Sequence, residues 1–226
     1  MVQGPSLIDA YVGNPATTTT TYSYPANFFY KSSLSQSIYF ADEFSSDYYL
    51  GSGAAIASFK HFMTLAGNIP ANKPLKVWMA NTDINEFSST TSWLPLSEFT
   101  LVFDGTVDLS ASGAHELEFE LDEPFIYEGN NLVVMIQRPL DDAYYSTTNL
   151  FKTTETTNRP NRTLYRQNDS TQQEPTDTAA TGTRVSFATN AEFVFATAGF
   201  ATLNGVVSST NGPIEGARVG IVGTSR

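Results

Sequence analysis

The stretch His115-Glu116-Leu117-Glu118-Phe119-Glu120-Leu121 decides the fold class. Leu117, Phe119 and Leu121 fall on one parity, while Glu116, Glu118 and Glu120 fall on the other. Side chains of a β-strand alternate between two faces, so this pattern gives one buried face and one wet face. The three glutamates recur at about 7 Å along that strand. A carboxylate pair for glycoside hydrolysis is placed by the fold and not by spacing, and the row reads as a solvated face.

Outward from this strand the same period continues. Upstream, Leu75, Val77 and Met79 alternate with Lys76, Trp78 and Ala80. Downstream, Leu132-Val133-Val134-Met135-Ile136 is apolar on both parities, which suits a central strand covered on two sides. Gln36-Ser37-Ile38-Tyr39-Phe40 begins a strand that breaks at Asp42-Glu43, and Phe193 and Phe195 alternate with smaller neighbours. The short apolar run 54–57 follows Gly51 and Gly53 and reads as a strand after a turn, not a helix. Turn signals stand at Pro70-Ala71-Asn72, Asp104-Gly105, Ser112-Gly113 and Glu128-Gly129-Asn130. Short strands with turns every ~8–12 residues predict an all-β chain, a jelly-roll-like antiparallel β-sandwich.

Two segments read as loops or edges. The five threonines at 17–21 suit an exposed edge strand. Residues 141–183 are polar, with a strand near Arg162-Thr163-Leu164-Tyr165-Arg166 and then a long exposed loop over 168–182. Composition shifts again near Gly199. Strand-like runs at 201–207 and 216–222 flank a turn at 208–212. A linker at 197–200 therefore divides a sandwich of residues 1–197 from the first strands of a second, Ig-like sandwich at 200–226.

The composition narrows the function. The chain has 226 residues with 28 threonines, 13% aromatics and only 15% charged residues, so strand formers dominate. Its net charge of −11 argues against nucleic acid or an anionic membrane as partner. There is no cysteine, which removes disulfides and thiolate metal sites. The two histidines, His61 and His115, lack a sequence-local Ser/Asp partner, and Gly51-Ser52-Gly53 is not a nucleophile elbow. No enzyme is expected. No signal peptide opens the chain, no apolar run approaches the ~18 residues of a membrane span, and the C-terminus stops in mid-pattern. We therefore expect a piece of a longer secreted protein.

Candidate binding residues follow from residue chemistry. Calcium takes several oxygen ligands on loops; Asp83 and Asn85 alternate, and Asp141-Asp142 form a local pair, though neither matches a calcium-loop motif. No other cofactor is implied. Sugar recognition needs exposed rings with polar neighbours. Trp78 lies opposite Leu75, Val77 and Met79 and is expected to be exposed, and Tyr144-Tyr145 are paired on polar ground. Trp93, beside Leu94-Pro95-Leu96, reads as core, as do most rings of the segment Tyr22, Tyr24, Phe28, Phe29 and Tyr30. The pair Tyr48-Tyr49 also stands on polar ground. Arg159, Arg162 and Arg166 form the one basic cluster and read as surface charge. Asn161-Arg162-Thr163 and Asn168-Asp169-Ser170 match the N-glycosylation pattern.

Two segments resemble known families. Gly205-Val206-Val207 with Gly212-Pro213-Ile214-Glu215-Gly216-Ala217-Arg218-Val219 resembles the opening of carboxypeptidase-regulatory-like domains, small Ig-like sandwiches of secreted bacterial proteins. Gly212-Pro213 lacks the intervening residue usual there. Gln36-Ser37-Ile38-Tyr39, Leu75 to Thr82, Trp93-Leu94-Pro95-Leu96, Pro124 to Val134 and Arg162-Thr163-Leu164-Tyr165 resemble an adhesin-like β-sandwich module. Such modules recur in large surface proteins of Bacteroidetes-like bacteria. That resemblance implies a non-catalytic extracellular adhesion or binding module, with a glycan or cell-surface protein as partner and further domains on the same polypeptide. In that setting Asp169-Ser170-Thr171 and Asp177-Thr178-Ala179 resemble an O-glycosylation signal, on Ser170 and Thr178. The alternatives are an ancillary domain of a secreted peptidase or glycosidase, and a structural spacer repeat.

Overall fold

The computed structural model describes residues 6–16, 20–46, 50–155, 158–197, 208–209 and 212–213. Its main body contains β1 (Ser6–Val12), β2 (Thr20–Tyr22), β3 (Ser32–Tyr39), β4 (Ala54–Ala66), β5 (Lys73–Thr82), β6 (Thr100–Val107) and β7 (Ser112–Tyr127). These are followed by β8 (Asn131–Arg138), β9 (Leu150–Glu155), β10 (Thr163–Asn168), β11 (Thr183–Val185), β12 (Phe187–Thr189) and β13 (Ala191–Thr197). The first sheet has the order β1-β13-β4-β9-β12, with β2 on β9 and β7 on β4; the second has the order β11-β10-β3-β8-β5-β6. All pairings are antiparallel, as in β1 with β13, β3 with β8 and β5 with β6. The chain is an all-β sandwich, as the alternation predicts. Of β1 to β13, consecutive strands pair directly only in β5/β6 and β10/β11, because the chain winds back and forth between the sheets.

The inner faces meet in one core. Leu117 and Phe119 of β7 lie opposite His61 and Phe59 of β4, and the glutamates between them face outward. Phe59 stacks on Phe119 at 4.8 Å and on Phe193 at 5.6 Å, a three-ring column at the centre of the first sheet. Leu75, Val77, Met79, Leu132, Val134 and Ile136 reach this core from the second sheet. Each such side chain contributes about 1.5–3 kcal/mol on burial.

A second core lies on the outer face of the second sheet. Leu34, Ile38, Trp78, Val133, Met135 and Leu164 point outward from it, and Phe87, Trp93 and Leu94 descend on them from a loop. Trp78 is therefore 8% exposed, not open to solvent as expected. Its parity was right, but the face it occupies is roofed. Trp93 is buried in that roof, as expected. The roof is stapled by polar groups. The Gln36 side-chain amide donates to Leu94 O at 3.0 Å and its carbonyl accepts from Leu94 N at 2.9 Å. Trp93 Nε1 donates to Ala180 O at 2.8 Å, and Gly182 N donates to Thr90 O at 2.7 Å.

That last pair corrects the long loop 168–182. It is exposed on its outer side, but Pro175 is buried and its backbone is tied down to Gln137, Ser32 and Arg166. The basic cluster is corrected with it. Arg162 and Arg166 are buried. Arg162 grips Glu43 with both terminal nitrogens and Ile38 O with Nε, and Arg166 lies 5.1 Å from the Trp93 ring and pairs with Asp177. Arg159 pairs with Asp42 and covers the Phe40 ring. These guanidiniums are structural ties, because planar donors can satisfy several buried acceptors at once.

Asp104-Gly105 is not a turn but lies within β6, opposite Lys76 and Leu75. The chain reverses instead over 108–111, where the Asp108 carboxylate accepts from the Ser110 N–H at 2.9 Å and hydroxyl at 2.7 Å. Gly129, at φ +87°, makes the β7/β8 turn as its sequence suggests. Of the threonine run, Thr20 belongs to β2, which pairs with β9, while 17–19 lie outside the described residues. Tyr48-Tyr49 and the two strand-like runs of the tail lie outside them too; Ser208–Ser209 pairs antiparallel with Gly212–Pro213.

Candidate functional site

Strand register places three loops at one end of the second sheet. Ser32 opens β3 opposite Asn168, the last residue of β10, and Ser33 lies opposite Arg138, the last residue of β8. Lys73 opens β5 at the same end. The segments 27–31, 139–145 and 169–172 therefore meet there. Phe29 lies at their centre, 39% exposed, with Tyr30 edge-on at 5.4 Å and Tyr144 edge-on at 6.1 Å. Tyr144 is 64% exposed and Leu140 45%, so the group presents rings and an aliphatic side chain to solvent. Buried aromatics outnumber exposed ones throughout the described chain, which makes this concentration a candidate platform.

The platform stands on a charged hub. Arg138 is buried, and its guanidinium donates to Asn27 O at 3.2 Å, to Asp141 Oδ2 at 3.1 Å and to Ala143 O at 2.8 Å. Lys73 Nζ donates to the same Asp141 oxygen at 2.8 Å. Both cations lie against the Tyr145 ring, at 5.5 and 4.9 Å. Backbone ties close the assembly: Tyr145 N donates to Phe28 O at 2.8 Å, Asp141 N to Lys31 O at 3.0 Å, and Lys31 N to Asp169 Oδ1 at 3.1 Å. Burial opposes the charge of Asp141, but the Lys73 ammonium, the Ala143 N–H and Arg138 outweigh it and hold the carboxyl below its ordinary range. Charge-assisted bonds of this kind fix loop geometry because each partner is costly to leave unpaired.

The sequence-based candidates are divided by this geometry. Tyr144 is an exposed ring of the platform, while Tyr145 supports it from below and is half-buried. Asp141 is committed to Lys73 and Arg138; Asp142 is exposed beside Tyr144. Asp83 and Asn85 lie at the far end of β5, about 30 Å away at strand rise. There Asp83 accepts from Asn130 Nδ2 at 3.2 Å and Asn85 Oδ1 from Asn131 Nδ2 at 3.3 Å, so these side chains staple two turns. The four candidate calcium ligands are not brought together, and no group of three His, Asp or Glu side chains suited to a metal occurs among the described residues. Ser170 is exposed and Thr178 half-buried on the outer side of the roof loop. Phe29, Tyr30 and Leu140 were missed as site residues. The signal was Phe28-Phe29-Tyr30, where one ring goes inward and the next outward, but the partner loop is more than 100 residues distant.

The histidines are separated as well. His61 is buried among Tyr39, Phe59, Phe119 and Phe151, with Nδ1 3.2 Å from Asn190 O. Burial pushes its imidazole down to about 4, so it is neutral near pH 7. His115 is half-buried on β7, and burial lowers its imidazole despite Asp108 and Glu116.

No family model matches the chain, and no curated protein matches it. Among solved structures it is similar to the cysteine protease and lectin-like domains of a surface layer associated protein of Clostridium difficile. The identity is 9% over 74% of this chain and 32% of that chain, with a TM-score of 0.40. It is similar to the same degree to a clostridial cysteine protease after propeptide cleavage, over 74% of this chain and 36% of that one. The chain thus spans about a third of the length of the solved chains it matches. No helix among the described residues is long and apolar enough to cross a membrane.

Proposed function

We propose that the chain is a non-catalytic binding module of a larger secreted or cell-surface protein, and that the Phe29/Tyr30/Tyr144 platform takes a glycan. One observation carries the reading: exposed rings are concentrated on loops that buried Arg138, with half-buried Asp141 and Lys73, holds in place. A sugar ring stacks its C–H face on an aromatic, and a pre-ordered platform lowers the entropy cost of capture. Asp142 and Asp169 are exposed around the rings, and the chain carries a net charge of −11, so the glycan is uncharged, not acidic.

The test is an array of neutral and acidic glycans probed with the native chain and with Tyr144→Ala. The native chain binds neutral glycans, and the substitution removes about 1–2 kcal/mol, roughly five- to thirtyfold in affinity. Absence of binding to every glycan removes the carbohydrate reading. Trp78→Ala is not a binding control, because that ring lies in the second core.

A further inference from the structure

β7 pairs with β4 along one edge, and among the described residues no strand pairs with the other. Its usable length is set by the pairing. Ser112 to Glu120 run in register with Ala66 to Ser58, and then residues 121–124 swell outward before Phe125 resumes opposite Ile56. The break in register there and Pro124, which offers no N–H, stop strand addition beyond Glu120. Nine residues of open edge remain, more than a typical added strand needs.

The open edge borders a cleft. β6, the outermost strand of the second sheet, stands beside β7 without pairing to it, and Phe103 meets Phe119 edge-on at 5.2 Å. Between them lies a space of about 320 Å³, lined by Phe103, Val107, Leu117, Glu116, Glu118 and Glu120. Consecutive residues of both parities line it, so it follows the strand's edge and not one face. Its apolar members come from the core side and its glutamates from the outer side. No lysine or arginine lines it. Lys60 of the neighbouring β4 engages Glu116 at 3.0 Å, while Glu118 and Glu120 have no ion pair among the described residues.

We infer that the free edge of β7 takes up an extended basic segment of a partner protein as an added strand. Backbone hydrogen bonds to residues 112–120 give the affinity. Lys or Arg at every second position lies opposite Glu118 and Glu120, and apolar residues between them face Phe103, Val107 and Leu117. A second copy of this chain is the wrong occupant. Edge-to-edge pairing of two β7 strands sets one glutamate row against another, and like charges directly opposite are destabilising.

The probe is a synthetic peptide of alternating lysine and valine, compared with a peptide of the same composition whose lysines are consecutive. Both are titrated calorimetrically against the full chain, with amide hydrogen exchange read over 112–120. The alternating peptide is expected to bind at least tenfold more tightly and to slow exchange in that segment. The exposed-site double substitution Glu118→Lys/Glu120→Lys weakens it at least tenfold while leaving the unfolding midpoint within a few degrees. Equal binding of the two peptides, unchanged exchange over 112–120, or undiminished binding to the charge-reversed chain each overturns the inference. Tyr144→Ala leaves this binding intact, so the result is independent of the platform.

Discussion

The outer faces of the two sheets are both built from antiparallel strands of period two, yet one is roofed and the other open. On the second sheet the outward residues are Leu34, Ile38, Trp78, Val133, Met135 and Leu164, and loops cover them with Phe87, Trp93 and Leu94. On the first, the outward positions of β4, β7 and β13 carry Lys60 between Glu116 and Glu192, at 3.0 and 3.1 Å, with Glu118 and Glu120 exposed beyond them. The difference lies in what each face can leave in water. An apolar outer face recruits a third layer, and a charged one does not. The roofed side thereby spends its long loops on packing, while the open side keeps an edge and a charged surface for contact.

Substitutions in the roof sharpen this contrast most. Trp93→Ala removes a buried ring together with its bond to Ala180 O, and costs about 3–5 kcal/mol in chemical denaturation. Proteolysis then reaches the loops 83–99 and 168–182 before the rest of the chain. An unchanged stability would mean that the roof is not a core.

Acid probes the inner side of the first sheet. His61 titrates near 6.5 in the unfolded chain and at about 4 in the folded one, so the unfolded state binds the extra proton first. Its contribution is complete above pH 6.5 and is lost as pH falls towards 4, by up to roughly 3 kcal/mol. A series of unfolding curves across that window, compared with His61→Gln, isolates the slope; a flat difference refutes the assignment.

On the open face the effects shrink. Lys60→Met breaks two partly exposed ion pairs and changes stability by about 1 kcal/mol or less, an effect that fades in high salt. Tyr144→Ala is smallest, within about 0.5 kcal/mol of the native chain in thermal unfolding, because that ring is mostly in water. A large loss there would move Tyr144 from platform to core.

The contrast also explains what was legible in the sequence. Alternation at 115–121 and the unbroken apolar run 132–136 identified a half-wet strand and a doubly covered one, and both stand as read. Trp78 was assigned to the correct side of β5 but to water, because parity records which side a residue faces and not what a loop ten or a hundred residues away lays over it. Arg162 and Arg166 misled for the same reason: their partners Glu43 and Asp177 are chosen by the fold. The platform was half legible. Tyr144 on polar ground was visible, whereas its union with Phe29 depends on Arg138 tying two loops that share no local pattern.

The pairing of β1 with β13 has a mechanical consequence. Ser6 and Thr197 are direct partners in that ladder, so the chain enters and leaves the sandwich about 5 Å apart. Polypeptide joined at both points would carry the sandwich as a pendant at the side of its path, adding almost nothing to its span. Pulling on those two points would load the β1/β13 ladder first and unzip it from its end, leaving the roofed sheet unstrained until that ladder has parted. A rod built of such units would be a poor ruler but a dense array of outward-hanging surfaces.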